Sequence, residues 1–314
     1  MGATMRAMAT TAWGGPDNLE LVTVDRPEPG PGEVLVQVAA AGLNPVDAKV
    51  SARGLFLKRG GIEPPVVLGW DVSGTVAAVG EGVATPAVGD EVFGLVNFPQ
   101  VGGCYAEFVL APADQLASKP TSIDHVQAAS LPLVTLTAWQ GLFDLADLRA
   151  GQKLLVHAAA GGVGSVAVQL ARWKGATVAG TASTGNQDLL AQLGVDTPID
   201  YTTERFEDRV SNIDVVFDGV AGEIRARTWA VMKPGAILVS ISGPVPEEES
   251  SAHGMRGVSM LVAPNGEQLA TIAGLVDAGH LQAIVDHTVG FAEIAAAHET
   301  LLSGHGRGKI VLIP

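Results

Sequence analysis

The 314-residue chain is acidic and rich in apolar residues, and this composition limits what it can be. Hydrophobic residues make up 47% and charged residues 17% of the chain, so it can bury a large core, and its length corresponds to roughly two domains. The 33 acidic and 19 basic residues give a formal charge of −14, which provides no electrostatic basis for binding nucleic acid or an anionic membrane. Cys104 is the single cysteine, which excludes an intrachain disulfide and a four-cysteine zinc site.

The amino-terminal region has no apolar core of the length that a signal peptide needs. No run of about 18 apolar residues occurs elsewhere in the chain. Together with the lone cysteine, these features predict a soluble, cytoplasmic protein.

Glycine and proline interrupt the chain up to about residue 120. Clusters of these residues lie at 27–33, 60–65 and 80–92, and short β-branched runs such as 34–38 and 72–76 lie between them. Short strands bounded by turn residues predict a compact, β-rich barrel or sandwich.

The pattern changes near Pro132, where apolar residues at helical spacing lead into a second domain. From there, predicted strands at 153–158, 176–183, 197–201, 213–220 and 236–243 are interspersed with predicted helices at 186–194 and 223–232. This alternation predicts right-handed βαβ crossovers and a parallel sheet covered by helices.

The carboxy-terminal region predicts a helix at 267–279, a short strand, a helix at 291–304 and a final strand at 309–314. These elements could extend the parallel sheet or return to the first domain.

The strongest local motif is a glycine-rich loop between a predicted strand and a predicted helix. It reads Ala159-x-Gly161-x-x-Gly164, with Gly162 and Val163 inside it, and resembles the dinucleotide fingerprint with alanine in the first glycine position. The second glycine lets backbone N–H groups approach a pyrophosphate, and the third lets the helix pack on the strand. The amino terminus of the helix adds partial positive charge.

The end of the next strand bears on the choice between NADH and NADPH. A site that prefers NADH usually has Asp or Glu there to hold the ribose hydroxyls, whereas this chain has Thr181, Ser183 and Thr184. Hydroxyls without a carboxylate favour NADPH, although no Lys or Arg follows at once. Tyr201 is a candidate phosphate contact or, alternatively, a cap on the edge of the sheet.

The order of several motifs resembles that of the medium-chain dehydrogenase/reductase superfamily, in its zinc-independent, zeta-crystallin-like quinone oxidoreductase branch. They are GGPDNLEL, PEPGPGEVLVQVAAAGLNPVDAKV, LGWDVSGTVAAVG, VGDEVFG, YAEFV, LPLVTLTAWQGL, AAAGGVGS and RGKIVL. The resemblance covers nearly the whole chain and implies an α/β protein with a GroES-like catalytic domain at 1–130 and 266–314. A Rossmann NADP-binding domain with a doubly wound parallel sheet would occupy 131–265, and the active site would lie between the domains.

Zinc alcohol dehydrogenases of this superfamily carry a Cys in the segment that corresponds to GLNPVD and a His in the segment that corresponds to LGWDVSG, and both are catalytic zinc ligands. The matching segments here contain Asn44-Pro45 and Gly69-Trp70-Asp71. Without a thiolate and an imidazole, the tetrahedral zinc site that polarises an alcohol cannot be assembled. The resemblance therefore implies a zinc-independent reductase with no metal site.

The other candidate motifs for catalysis fail. His298-Glu299 is followed by Leu302 instead of a second His, so the metalloprotease pattern is incomplete. The remaining histidines are scattered singly, and we expect structural or solvated roles for all of them: His125, His157, His253, His280, His287 and His305.

A zinc-free reductase of this type transfers a hydride from NADPH to a quinone or an α,β-unsaturated carbonyl, and donors must stabilise the developing oxyanion. By resemblance, Asn44 and Lys49 face the nicotinamide and the substrate. We expect Lys49 to act as an electrostatic stabiliser or proton donor, and Asn44 as an orienting hydrogen-bond donor. A solvated surface role is the alternative for Lys49. Asp47 is expected to stabilise its own turn, and Tyr105 to pack under a strand.

The resemblance also implies further contacts with the cofactor. Thr137 would lie near the nicotinamide, and Ser240 and Ser242 would follow a strand whose carboxyl end opens at the cofactor. Gly308 and Lys309 would close the chain near the cofactor, with a plain final strand as the alternative.

Two other functions remain open, an enoyl-thioester reductase and a noncatalytic NADPH-binding protein. The physiological acceptor has no readable signature in the sequence. A homodimer is expected, since the apolar segment 236–243 suits an edge strand of the Rossmann sheet.

Overall fold

The computed structural model describes residues 2–304 and 306–314, so His305 lies outside the described residues. The described chain divides into two compact units. Unit 1 contains the residues up to Leu133 together with Ala263–Gly279 and Ala283–Pro314. Unit 2 contains Val134–Val262 and His280–Gln282.

The strands, in chain order, are β1 (Thr4–Thr10), β2 (Leu19–Asp25), β3 (Glu33–Gly42), β4 (Val66–Val67), β5 (Asp71–Val79), β6 (Glu91–Leu95), β7 (Phe108–Pro112), β8 (Leu116–Ser118), β9 (Lys153–Val156), β10 (Thr177–Ala182), β11 (Thr197–Asp200), β12 (Ile213–Asp218), β13 (Met232–Ser240), β14 (Arg256–Ser259), β15 (Val285–Val289) and β16 (Lys309–Leu312).

The α-helices are α1 (Pro45–Arg53), α2 (Leu55–Arg59), α3 (His125–Ala129), α4 (Pro132–Trp139), α5 (Gly162–Trp173), α6 (Gln187–Gln192), α7 (Gly222–Thr228), α8 (Glu247–Ala252), α9 (Gly266–Asp277) and α10 (Ile294–Ser303). A π-helical turn, Gln140–Leu145, continues α4.

Unit 1 is built on β-sheet, as the short strands between glycine and proline clusters predict. The order in its larger sheet is β15-β16-β3-β5-β6-β8, with β7 also paired to β3, and a smaller sheet has the order β2-β1-β4. The final strand β16 runs antiparallel to β3, with Val311 opposite Gly42. The carboxy-terminal elements therefore return to the first domain and do not extend the parallel sheet.

Unit 2 is a parallel sheet with the order β11-β10-β9-β12-β13-β14. The pairings of β9 with β10 and with β12 are both parallel, and the order reverses direction next to the strand that leads into the glycine-rich loop. Ligands of doubly wound sheets bind at such a reversal, outside the carboxyl ends of the strands. The predicted α/β fold class, a GroES-like β-rich domain with a Rossmann-type parallel sheet, is confirmed.

The expectation that segment 236–243 forms an edge strand is wrong. Its strand, β13, lies between β12 and β14, and β14 takes the edge position. Both faces and both edges of β13 are covered, which explains its apolar character. The edge strand itself was missed because Arg256–Ser259 is short and only partly buried.

In the described residues, no helix combines the length and apolar character needed to cross a membrane.

Candidate functional site

The glycine-rich loop connects β9 to α5, as its sequence predicts. Gly161 is the N-cap of α5, and its backbone N–H donates to Ala158 O at 3.0 Å. A Cβ atom added to Gly164 would lie 2.2 Å from Ala158 O and 2.8 Å from Ala159 Cα. Only glycine permits this approach of helix to loop. The first backbone N–H groups of α5, including those of Gly162 and Val163, have no acceptor within the helix and are available to an anion.

The end of β10 carries the predicted hydroxyl residues. Thr181 is buried, and its hydroxyl lies 3.3 Å from both His157 Nδ1 and the backbone nitrogen of Ala158. It therefore supports the loop from beneath. Ser183 is partly exposed and accepts a hydrogen bond from Asn186.

Thr184 is exposed beyond the end of β10, and a carboxylate from the next strand reaches it. Its hydroxyl donates to Asp200 Oδ2 at 2.6 Å and lies 2.7 Å from the hydroxyl of Thr202. Tyr201 directly follows β11 and is 53% exposed, so about half of its side chain is open to solvent.

A buried ion pair lies at the carboxyl ends of β12 and β13. Arg225 Nε donates to Asp218 Oδ2 at 2.7 Å, and the same guanidinium donates to Ser240 Oγ at 2.7 Å and to Pro244 O at 2.6 Å. The predicted cofactor residue Ser240 is thus held inside the protein by Arg225. Ser242 is exposed, and its backbone N–H donates to Ser240 Oγ at 3.3 Å.

A second buried ion pair organises unit 1. Asp71 accepts hydrogen bonds from Asn44 Nδ2 at 2.9 Å and from the backbone N–H of Leu133 at 2.7 Å. Lys309 Nζ lies 3.3 Å from Asp71 Oδ2, donates to Leu43 O at 2.6 Å and contacts Asn44 Oδ1. Burial raises the pKa of Asp71, and the adjacent Lys309 opposes that rise.

This arrangement bears on two predicted site residues. All three hydrogens of the Lys309 ammonium group have acceptors inside unit 1, so it serves as the counter-ion of Asp71. The amide hydrogens of Asn44 are directed to Asp71 and to Gly42 O. Both side chains position their own strand and loop, and their contacts with cofactor and substrate stay predictions.

The neighbouring Gly308 adopts a positive φ of 65°, and a Cβ there would lie 2.4 Å from Ile284 O. This glycine is therefore needed for the close packing of the chain as it enters β16.

Asp47 lies beside this cluster, completely buried. Its Oδ2 accepts the backbone N–H of Asn44 at 2.8 Å and the hydroxyl of Tyr105 at 2.5 Å, and the Tyr105 oxygen is 3.4 Å from His298 Nε2. Among the described residues, Asp47 Oδ1 and His298 Nδ1 have no hydrogen-bond partner. Desolvation raises the pKa of Asp47 to about 7 and lowers that of His298 to about 4.

The structure separates the remaining predicted residues. Lys49 lies on α1 and is exposed, whereas Asp47 on the same helix is buried. Thr137 lies on α4 and is 5% exposed. The Asp47 carboxylate does bond its own turn, and Tyr105 packs in the interior with a hydroxyl that bonds Asp47.

Within the described chain, no group of three or more His, Cys, Asp or Glu side chains is arranged to hold a metal ion. Cys104 is buried, and desolvation raises the pKa of its thiol well above the ordinary value. A protonated thiol is a poor metal ligand.

Three buried charged residues, Asp71, Asp218 and Arg225, have no role in the sequence-based predictions. Asp71 begins the apolar strand β5, Asp218 ends the apolar strand β12, and Arg225 follows Asp218 by seven positions. A charge inside an apolar run predicts a buried ion pair, so both aspartates could have been found. Nothing local in the sequence indicates that Asp200 would reach Thr184.

Comparison with protein families gives two matches along the chain. Residues 30–121 match the alcohol dehydrogenase GroES-like domain, and residues 193–312 match a family described as zinc-binding dehydrogenase. The chain is 37% identical to the NADPH-dependent alkenal/one oxidoreductase of Arabidopsis thaliana, over 99% of this chain and 80% of the relative. The chain belongs to the medium-chain dehydrogenase/reductase superfamily.

Solved structures of superfamily members agree with this assignment. The quinone oxidoreductase from Coxiella burnetii superimposes with a TM-score of 0.93 at 34% identity, over 99% of this chain and 100% of that one. The CurK enoyl reductase superimposes with a TM-score of 0.89 at 28% identity, over 99% of each chain. The resemblance to quinone oxidoreductases of the superfamily, predicted from the sequence motifs, is confirmed by these relatives.

Gly164→Ala is expected to lower the free energy of unfolding by about 1–3 kcal/mol, because the added methyl overlaps backbone atoms that cannot move aside. Gly161→Ala is the matched control, since its Cβ would meet Ala158 O at 3.3 Å. Urea unfolding of both variants measures the difference. Equal losses in the two variants would contradict the close approach assigned to Gly164.

Asp47→Asn is expected to remove a pH-dependent part of the stability. The folded pKa of about 7 exceeds the ordinary value of 3.8, so folding retains a proton that the unfolded chain releases. The stabilisation is complete below about pH 4 and is lost as pH rises towards 7. The free energy of unfolding of the variant, relative to that of the wild type, should therefore rise by about 2–4 kcal/mol when the pH is raised from about 5 to about 8.

Urea unfolding at both pH values measures this gain, and exposed Asp25→Asn is the control. The difference between variant and wild type cancels the opposing contribution of His298, which favours folding as pH rises. A gain that is the same for Asp47→Asn and Asp25→Asn would exclude Asp47 as its source.

Proposed function

We propose that this protein is a zinc-independent, NADPH-dependent reductase that transfers hydride to a quinone or an α,β-unsaturated carbonyl. The observation that carries the proposal is the similarity over 99% of the chain to an NADPH-dependent alkenal/one oxidoreductase. The close packing at Gly164 in the glycine-rich loop is consistent with a dinucleotide-binding loop. The quinone oxidoreductase fold at a TM-score of 0.93 supports the same class of acceptor.

The residues of unit 2 fit a dinucleotide. The Gly164 position has no room for a Cβ, and the first turn of the twelve-residue helix α5 offers N–H donors to a pyrophosphate. Gly161, Gly162 and Val163 would hold the pyrophosphate, with Ala159 beneath it. When bound, NADPH supplies the hydride.

Further cofactor contacts are proposed by position. Ser183 and Thr184 would lie near the adenosine ribose, and Thr181 would support the loop from inside. Thr137, Tyr201, Ser240, Ser242, Gly308 and Lys309 complete the proposed set. Ser240 among these is constrained by the buried Arg225 guanidinium, which donates to its hydroxyl oxygen.

Zinc independence is proposed from the donor set. Asn44 and Trp70 stand in the segments where zinc members of the superfamily carry Cys and His, and Asp71 is already neutralised by Lys309. An amide and an indole do not replace a thiolate and an imidazole as zinc ligands. A chelator is therefore expected to leave activity unchanged.

In the proposed reaction the protein positions the acceptor and stabilises negative charge. Lys49 is exposed on α1 and offers a mobile ammonium group for the developing oxyanion or for proton delivery. Asn44 begins the same helix, and its fixed amide sets the path of the chain from Leu43 to Asp47. We assign Asn44 a positioning role beside its proposed contact with the substrate.

An enoyl-thioester reductase is the second candidate. The superposition on the CurK enoyl reductase, at a TM-score of 0.89, favours it, and it shares the fold and the hydride chemistry. Parallel assays with quinones, alkenals and enoyl thioesters separate the two functions.

A cytoplasmic homodimer is also proposed. Among the described strands, β14 stands at an edge of the unit 2 sheet with one side unpaired, and Leu261 just beyond it is 61% exposed. Open strand edges pair readily with a second copy. Light scattering of the purified protein measures its mass in solution, and a monomer would contradict this part of the proposal.

Lys49→Ala is expected to lower turnover of the acceptor about 10- to 100-fold, because it removes an electrostatic donor from the transition state, and to leave the Kd for NADPH unchanged. Loss of absorbance of the reduced nicotinamide measures turnover, and fluorescence titration measures Kd. Exposed Lys58→Ala in the adjacent helix is the charge-matched control. Unchanged turnover in Lys49→Ala would remove Lys49 from the mechanism.

A further inference from the structure

The position of the adenosine ribose follows from the topology of unit 2. In a Rossmann site the ribose hydroxyls lie at the carboxyl end of the second strand of the fold, about 20 residues beyond the first residue of the glycine motif. Here that strand is β10, which pairs with β9 and ends at Ala182. Ser183 and Thr184 follow directly. The 2′ substituent, a hydroxyl in NADH and a phosphate in NADPH, would meet these residues first.

A carboxylate from the neighbouring strand occupies this position. β11 runs parallel to β10 with Asp200 opposite Ala182, so Asp200 ends at the same edge of the sheet. Asp200 Oδ2 accepts a hydrogen bond from the hydroxyl of Thr184 at 2.6 Å. Asp200 Oδ1 accepts two hydrogen bonds from Thr202, one from the hydroxyl at 2.6 Å and one from the backbone N–H at 3.0 Å. These hydrogen bonds lower the pKa of Asp200, which keeps it anionic.

The surrounding charges do not offset this carboxylate. The segments that follow the carboxyl ends of β10 and β11, 183–190 and 201–204, contain Asp188 and Glu204 but no Lys or Arg. The next two arginines each pair with a carboxylate, Arg205 with Glu207 at 3.2 Å and Arg209 with Glu204. A 2′-phosphate therefore meets net negative charge at this end of the sheet.

The hydrogen-bond directions lead to the same result. A phosphate needs donors, yet the hydroxyl hydrogens of Thr184 and Thr202 are both directed to Asp200. A ribose 2′-hydroxyl can donate to a carboxylate, so this cluster suits NADH as well as NADPH.

We propose that Asp200 is a specificity-determining residue that weakens the preference for NADPH and lets the protein use NADH. It does so by claiming the threonine hydroxyls and by placing a negative charge beside the 2′ position. This inference rests on the proposed function, since it assumes that unit 2 holds a nicotinamide dinucleotide.

The test is the ratio of the Kd values for NADH and NADPH in the purified protein, measured by fluorescence titration without an acceptor. Asp200→Asn removes the charge and keeps an acceptor for one threonine. The Kd for NADPH is expected to fall about five- to tenfold with little change for NADH, because a like charge has been removed from beside the phosphate. Asp200→Ala should shift the ratio in the same direction.

Asp147→Asn is the matched control. Asp147 lies in unit 2 before the start of β9, and its side chain is exposed. Its replacement by Asn changes the net charge by the same amount as Asp200→Asn. If Asp200 only stabilised its loop, its variants would weaken both cofactors and leave the ratio constant. A constant ratio with both cofactors still bound would overturn the role of Asp200 and leave the proposed function standing. Failure of the wild type to bind either dinucleotide would overturn both.

Discussion

The organisation of unit 1 depends on the hydrogen bonds and the ion pair that the buried carboxylate of Asp71 makes. It is completely buried and receives donors from three separate stretches of chain: the loop at Asn44, the start of α4 at Leu133 and the final strand at Lys309. A buried charge without partners is costly, so loss of any of these donors would destabilise the unit. The same contacts give α1, with Asp47 and Lys49 on it, a fixed starting point.

Unit 2 uses the same principle at the ends of its strands. Asp218 ends β12, and its pair with Arg225 extends to Ser240 at the end of β13. The glycine-rich loop lies at the same edge of the sheet, after β9, which pairs with β12. Buried charge and close backbone packing thus shape the edge where doubly wound proteins bind ligands, while the apolar strands beneath supply rigidity.

Local patterns predicted most strands and helices because each depends on periodicity within a few residues. The failures have local causes too. Helix α1 is not among the predicted elements, because it begins with Pro45 and has weak amphipathic character. Strand β14 is short and half-exposed, and missing it moved the predicted sheet edge to 236–243. The return of β16 to unit 1 could not be read locally, since its partner Gly42 lies far away in the chain.

Residue types at short spacing identify the superfamily and the glycine-rich loop, so neither needs the tertiary structure. Which polar groups meet depends on the tertiary structure. It placed Lys309 against Asp71 across 238 positions and Asp200 against Thr184 across 16. The absence of a carboxylate at 181–184 favours NADPH in the sequence, but parallel pairing of β10 and β11 brings one to that site from the next strand. Side-chain neighbours across a sheet depend on which strands pair and in which register, and pairing joins residues that are distant in the sequence.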